Sequence, residues 1–404
     1  MNNNKFSRRD FLESSTLGAF SYALGASGTV GERQSQPVTI ERIEVFPVSY
    51  PVKGEFKFLE GGRLSAVVKI IADDGAVGWG ESIPSHLWSY ETMETVTTTI
   101  RNYLAPPLIG HNVFDLNGIH QIMNQQIAPS FQTGQPIAKS GVDMALHDLI
   151  GRITNQSLSQ MWGRMPGEEI TLSWTLNPSE IDELESLIEE GRRQGYQHFN
   201  VKVGTTPDFD LALCKHVKEQ VPDGFLWADA NGGYDRMTAM EIAPKLADIG
   251  VEVLEQPLPS NRLTGYRDLK RQGALPILMD EGIVSHETLM EFIRLDLLDG
   301  IAMKLPRCGG LMSAKRQIEI IEDAGLMFLG SGLTDPGLSL AATLQLYGAF
   351  NYGLPAALNG PQFLAGSILK DPLQVKRGRV SVPAGPGLGV EVDESKVQEL
   401  SIEI

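Results

Sequence analysis

From about position 170 the chain alternates short apolar runs with longer stretches of helical periodicity. Ile170 to Leu176 (ITLSWTL) is the first run, and Glu180 to Gln194 follows as a helix, acidic at its start and basic at its end as the helix dipole prefers. Five further runs each end on a charged residue: FNVKVG at Lys202, FLWADAN at Asp229, VEVLEQP at Glu255, PILMDEG at Asp280 and GIAMKLP at Lys304. The spacings are 27, 26, 25 and 24 residues, the length of one strand, one helix and two loops. A seventh run, LMFLGSG, precedes a helix from Leu338 to Phe350, and an eighth, Ala356 to Leu358, ends at Asn359.

Only seven helices fit, because after Gln362 the pattern turns to strands and turns (QVKRGRVSV, PAGPGLGVEV). The expectation for 161–362 is an α/β fold, a (β/α)7β modified TIM barrel, with its chemistry at the strand ends. Ahead of it, VTIERIEVFPV and RLSAVVKIIAD read as strands, and Asp73-Asp74-Gly75 as the hairpin into AVGWGES. The stretch from Ser49 to Arg63 is a candidate mobile flap. Helices are expected from Thr92 to the prolines near 106, from Asn112 to Gln126, and from Ile137 to Ile153. Strands followed by helices make 36–160 an α+β unit, to which the tail 363–404 is expected to return.

Residues 1–35 differ from the rest. Ser7-Arg8-Arg9-Asp10-Phe11-Leu12, an apolar run from Leu17 to Leu24 and Ala26-Ser27-Gly28 resemble a twin-arginine export signal. The resemblance implies transient contact with the Tat machinery, a periplasmic or exported protein, and a mature chain starting between Ala26 and Gln36. The apolar run is too short to span a bilayer, so no stable membrane anchor is expected. A net charge of −16 argues against nucleic-acid binding. The two cysteines, Cys214 and Cys308, supply neither a disulfide framework nor a zinc pattern.

Asp229, Glu255 and Asp280 offer only oxygen, a donor set that favours Mg²⁺, or Mn²⁺, over zinc. Lys202 and Lys304 lie one strand before and one strand after these acids, hence on opposite sides of a substrate held there. A lysine close to a divalent cation and partly desolvated loses preference for its charged form and becomes a usable base. The cation also stabilises charge developing on a carboxylate when its α-proton leaves. Asn231 is placed to orient the metal ligands and Glu281 to partner a lysine.

The motifs NVKVG, ADANGGY, LEQP, MDEG, IAMKLPRCGG and SGVDMALHDLIGR together resemble the enolase superfamily, in its muconate lactonizing enzyme subgroup. The resemblance runs from about Val38 to the end. It implies an N-terminal α+β capping domain on the barrel, Asp229, Glu255 and Asp280 as Mg²⁺ ligands, and Lys202 and Lys304 as paired acid/bases. One departure is Asn200, where the subgroup usually has a lysine; Asn200 can hydrogen-bond but lends no positive charge to Lys202.

The loops GSGLTDPGLS and ALNGPQF, with Asp335 and Asn359, look like those of members acting on proline-like amino acids and betaines. Asp335 either meets a substrate amine or caps the helix at Leu338. Trp88, Tyr90, Phe56 and Phe58 lie on capping loops that could close over a ring. Sugar acids are disfavoured, because the later strands offer Lys304 and Ser331 where a histidine is expected. The expected function is metal-dependent removal of the proton α to the carboxylate of a small molecule, as a racemase or epimerase of an amino-acid derivative (proline-like, betaine or dipeptide). Dehydration of a 3-hydroxyproline-like substrate, cycloisomerisation, or ligand binding without chemistry are the alternatives. A homo-oligomer is expected, as is common for the family.

Overall fold

A computed structural model describes residues 37–53, 56, 59, 61–130 and 133–404. The export-signal segment 1–35 and, within the candidate flap, residues 54, 55, 57, 60 and Phe58 lie outside the described residues.

Strands β1 (Ile40–Tyr50), β2 (Arg63–Ala72) and β3 (Val77–Ser82) form an antiparallel sheet, with the Asp73-Asp74-Gly75 turn between β2 and β3. The sheet lies on the helix Pro136–Thr154, which is buried along most of its length. Gly78 and Gly80 allow this: a Cβ on either would stand 2.2 or 2.1 Å from the carbonyl of Ala145 or Gly141. The glycines of the GWG run therefore set how closely sheet and helix approach. The first expected helix starts at Met93, capped by Thr92, and passes through a π-helical stretch, Thr99–Leu104. It continues through its prolines to Leu108, because Pro106 and Pro107 fall in the first turn of the last segment, where a missing N–H costs little. The second is shorter than expected, Leu116–Gln126, since Asp115 caps it.

The barrel is a parallel sheet of seven strands in sequence order: β5 (Ser173–Leu176), β6 (His198–Lys202), β7 (Leu226–Asp229), β8 (Val253–Glu255), β9 (Ile277–Met279), β10 (Gly300–Lys304) and β11 (Met327–Ser331). The eighth run closes the ring by two bridges, Leu172 to Ala356 and Ser331 to Ala357. The first run is split. Its beginning, β4 (Glu169–Thr171), leaves the barrel and pairs with β13 (Arg379–Ser381), which pairs with β12 (Val375–Lys376). The tail thus first joins the base of the barrel; its last residues then run beside β1, where Ile402 N–H donates to the Pro47 carbonyl.

Side chains alternate along each strand, so residues two apart share a face. Trp227, Val253, Leu278, Ala302, Leu329 and Ala357 point inward and pack together as the barrel floor. Two residues further along the same faces come Asp229, Glu255, Asp280, Lys304, Ser331 and Asn359. The apolar layer fills the interior, and the polar layer above it forms the mouth. Among the described residues no helix is long and apolar enough to cross a membrane.

A candidate metal and proton-transfer site

The mouth brings together five of the residues picked from sequence. Asp229, Glu255 and Asp280 are buried, and one oxygen from each lies within 4.8 Å of the others. Lys202 donates to Asp229 from one side. Lys304 donates to Asp280 at 2.6 Å and to Glu255 at 3.3 Å from the other. Burial, with the charge of Asp229 second, raises the pKa of Glu255, and Lys304 and Lys202 oppose the rise. Four carboxyl groups, counting Glu281, face three basic groups, counting Arg307. A divalent cation would offset the excess of carboxylates, and an oxygen-only donor set at this spacing fits a hard one.

The side chain of Trp88 covers this cluster. Its ring centroid lies 5.4 Å from Lys202 Nζ and 5.3 Å from Lys304 Nζ. Phe56 meets it edge-on at 5.9 Å and itself stacks on Phe363 at 4.7 Å. Tyr90 is exposed and reaches the Thr133 carbonyl instead.

The remaining expected residues separate. Asn231, in the left-handed region at φ 45°, donates its backbone N–H to Asp229 at 2.9 Å and its amide to Glu281 at 3.0 Å. It braces the first acid. Glu281 also accepts from Trp88 Nε1 at 3.0 Å, so its hydrogen bonds go to Trp88 and Asn231 and not to a lysine, as had been expected. Burial, then Asp229, raises its pKa.

Asn200 lies in the barrel interior, two residues below Lys202. Its Oδ1 accepts from the hydroxyls of Ser173 at 3.2 Å and Thr175 at 3.0 Å. Asn359 reaches the same Thr175 hydroxyl at 3.4 Å. Asp335 does not cap the helix, which begins at Gly337 with no side-chain cap. Its carboxylate instead accepts from Leu333 N–H at 2.7 Å and from the Ser339 hydroxyl at 2.5 Å, holding its own loop. Burial raises its pKa.

Three positioning groups were not picked out from sequence. Arg307, on the turn after Lys304, donates to the Asp280 oxygen that Lys304 leaves free. Gln256, beside Glu255 and at φ 38°, accepts the backbone N–H of Asp280 at 2.8 Å and of Gly282 at 3.2 Å. Asp143, on the helix Pro136–Thr154, accepts the N–H of Leu311 at the start of the helix Leu311–Ala324. The motifs SGVDMALHD and PRCGG therefore touch, fixing the turn that carries Lys304 and Arg307. The signal for Arg307 and Gln256 was their place beside a strand-end charge.

Comparison with known proteins follows the same outline. Residues 183–396 match the family model described as enolase C-terminal domain-like, and residues 40–163 match the mandelate racemase / muconate lactonizing enzyme N-terminal domain. A chloromuconate cycloisomerase of Cupriavidus necator is 32% identical over 369 residues, covering 89% of this chain and 98% of its own. An N-succinyl-L-Arg/Lys racemase of Bacillus cereus is 27% identical over 374 residues, covering 90% and 98%. The structure of a muconate lactonizing enzyme from Pseudomonas fluorescens complexed with muconolactone superposes with a TM-score of 0.84 at 25% identity, covering 91% of this chain and all of that one.

Proposed function

Because this chain belongs to the mandelate racemase / muconate lactonizing enzyme family of the enolase superfamily, we propose that it removes and returns the proton α to a carboxylate, as a racemase or epimerase of an amino-acid derivative. The observation that carries this reading is the placement of Lys202 and Lys304 at nearly equal distance from the Trp88 ring, on either side of the three acids. Asp229, Glu255 and Asp280 would hold a divalent metal, Mg²⁺ in our reading, which when bound supplies positive charge beside the substrate carboxylate. Lys202 and Lys304 address opposite faces of the α-carbon. One enters neutral and takes the proton; the other enters as the ammonium and delivers its own. Trp88 and Phe56 keep water from the exchanging proton. Asn231, Gln256 and Arg307 hold the acids in place, so little reorganisation accompanies the transfer.

A second reading, cycloisomerisation, is favoured by the similarity to chloromuconate cycloisomerases. It uses one lysine at a time on a dicarboxylate. Incubation of the metal-loaded protein with enantiopure amino-acid derivatives and, separately, with cis,cis-muconate separates the two. Loss of optical activity supports the first reading, and loss of diene absorbance supports the second. We further propose that the chain is exported through the twin-arginine route; replacing Arg8 and Arg9 by lysine would then retain it in the cytoplasm, and unchanged export would refute the route.

A further inference from the structure

The seam between the capping domain and the barrel holds a second polar cavity, of about 300 Å³. From the capping domain, His120 and Asn124 of the helix Leu116–Gln126 and Lys139 of the helix Pro136–Thr154 line it. From the barrel come Ser285, His286 and Glu287, at the start of the helix His286–Arg294, and Arg316 of the helix Leu311–Ala324. The three acids and two lysines of the barrel mouth do not line it; Cys308 and Gly309, on the turn after Lys304, do.

Lys139 is 2% exposed, yet its ammonium has neutral partners, Asn124 Oδ1 at 2.9 Å and the Ile127 carbonyl at 3.1 Å. Burial pushes its pKa down to about 8, opposed by the charge of Glu91. Arg316 donates to His286 Nε2 at 3.1 Å. Among the described residues neither cation is in an ion pair. With Nε2 accepting, the ring proton of His286 sits on Nδ1, a buried atom without a hydrogen-bond partner. The Ser285 hydroxyl takes the N–H of Thr288, which leaves those of His286 and Glu287 without an intrahelical acceptor at the positive end of the helix dipole. His120 adds no unmatched charge, because it meets Asp143 at 2.7 Å.

Two cations without carboxylate partners therefore border one cavity in a chain whose net charge is −16. A buried ammonium is costly unless paired, so an anion in the cavity supplies what Lys139 lacks. One carboxylate borders the cavity unpaired, that of Glu287, whose side chain is 71% exposed and can stay in water. A single charge such as chloride would match one cation and leave the other. A dianion with oxygen acceptors on every side matches both, and a volume at the ~300 Å³ lower end of ligand pockets admits a small one.

We propose that this cavity binds a small doubly charged oxyanion of the phosphate class, free phosphate or a phosphate monoester, with Lys139 and Arg316 as its cations and His286 as a neutral donor. The occupant bridges the capping domain and the barrel and rests against the turn that carries Arg307. The site stands apart from the barrel mouth and is independent of which reaction the acids and lysines there perform.

The test is calorimetric titration of the whole metal-free protein at constant ionic strength, with inorganic phosphate and separately with glycerol 3-phosphate. EDTA keeps both probes from meeting a metal ion at the acids. One saturable site is expected, which separates binding from the general exclusion of phosphate from protein surfaces. Loss of one charged hydrogen bond should weaken it by about tenfold or more in Arg316→Gln and in Lys139→Met. Arg316 is exposed, so R316Q keeps the test open if the buried Lys139→Met fails to fold. Lys202→Ala, at the barrel mouth, should leave the affinity within about twofold. Tighter binding of the ester makes a phosphate monoester the ligand, and equal or weaker binding makes it free phosphate. No saturable binding of either probe, unchanged affinity in R316Q, or loss of binding in Lys202→Ala would each overturn the site.

Discussion

Lys304 Nζ stands 2.6 Å from Asp280 Oδ2, so a candidate base and a candidate metal ligand are already paired before any substrate arrives. Both are at most 2% exposed. Removing the lysine takes away one of the two cationic partners of Asp280 and the ammonium beside Glu255, and breaking such a buried pairing costs about 3–5 kcal/mol. Lys304→Met should therefore destabilise the metal-free protein by about 3 kcal/mol near pH 8. Mg²⁺ should recover much of that by adding charge to the same acids. Urea unfolding with and without metal checks this, and a variant as stable as wild type without metal would contradict it.

Turnover should depend on both lysines separately. Lys202→Ala and Lys304→Ala should each lower it by about 10²–10⁴-fold, the usual share of a positioned acid or base. Metal affinity, measured with Mn²⁺ as a paramagnetic probe, should change far less. A variant with full turnover would remove that lysine from the proton path.

Loss of an acid should act through the metal. Asp229→Asn, Glu255→Gln and Asp280→Asn should each abolish the stabilisation that Mg²⁺ gives, which for wild type is about 2.7 kcal/mol at one hundred times the dissociation constant. Differential scanning calorimetry across a metal titration reads this directly. EDTA should remove the same stabilisation and all turnover.

How much of this was legible beforehand differs by residue. Lys202, Asp229, Glu255, Asp280 and Lys304 could be read because strand periodicity puts a charge two residues beyond an inward apolar side chain, as in Trp227 and Asp229. The same rule places Asn200 one layer below the mouth, where it bonds Ser173 and Thr175. Glu281 bonds Trp88 and Asn231 where a lysine was expected, and the helix cap that was one of the two readings of Asp335 gives way to bonds with Leu333 and Ser339. Their partners depend on loop paths, which no periodicity encodes. Arg307, Gln256 and the contact of Asp143 with Leu311 were missed for the same reason: each acts through a backbone group or a loop far away in sequence.

The contact of Asp143 with the glycine pair makes a further prediction. Gly310 has φ 101°, and a Cβ there would stand 2.3 Å from Asp143 Oδ2. Gly310→Ala combines backbone strain with a clash and should cost about 2 kcal/mol or more. Because this turn carries Lys304 and Arg307, turnover should fall further than stability alone accounts for. Thermal unfolding and turnover measured on the same preparation test both parts.

Asp143 also makes stability depend on pH. Burial opposes its charge, but His147 and His120 outweigh it and hold its pKa well below the usual range. His120 Nε2 lies 2.7 Å from it. Burial likewise opposes the charge on His147, and Asp143 outweighs it and raises the pKa. A raised histidine pKa gives stability that is complete below about pH 6.5 and is lost as pH rises through the higher folded value. The depressed Asp143 gives stability above about pH 3.9 that is lost as pH falls through its lower folded value. Between pH 6 and 9 the wild type should thus lose stability relative to His147→Gln. Parallel urea midpoints for the two proteins across that range would show that His147 carries no such charge.

The most direct test of the account is α-proton exchange in D₂O, followed by NMR, over a panel of N-acylated amino acids, dipeptides, prolines and betaines with Mg²⁺ present. The account predicts deuterium at the α-carbon of at least one carboxylate, lost with EDTA, and inversion of that carbon lost in both Lys202→Ala and Lys304→Ala. Inversion that persists in either lysine variant, or turnover that proceeds without metal, would contradict it.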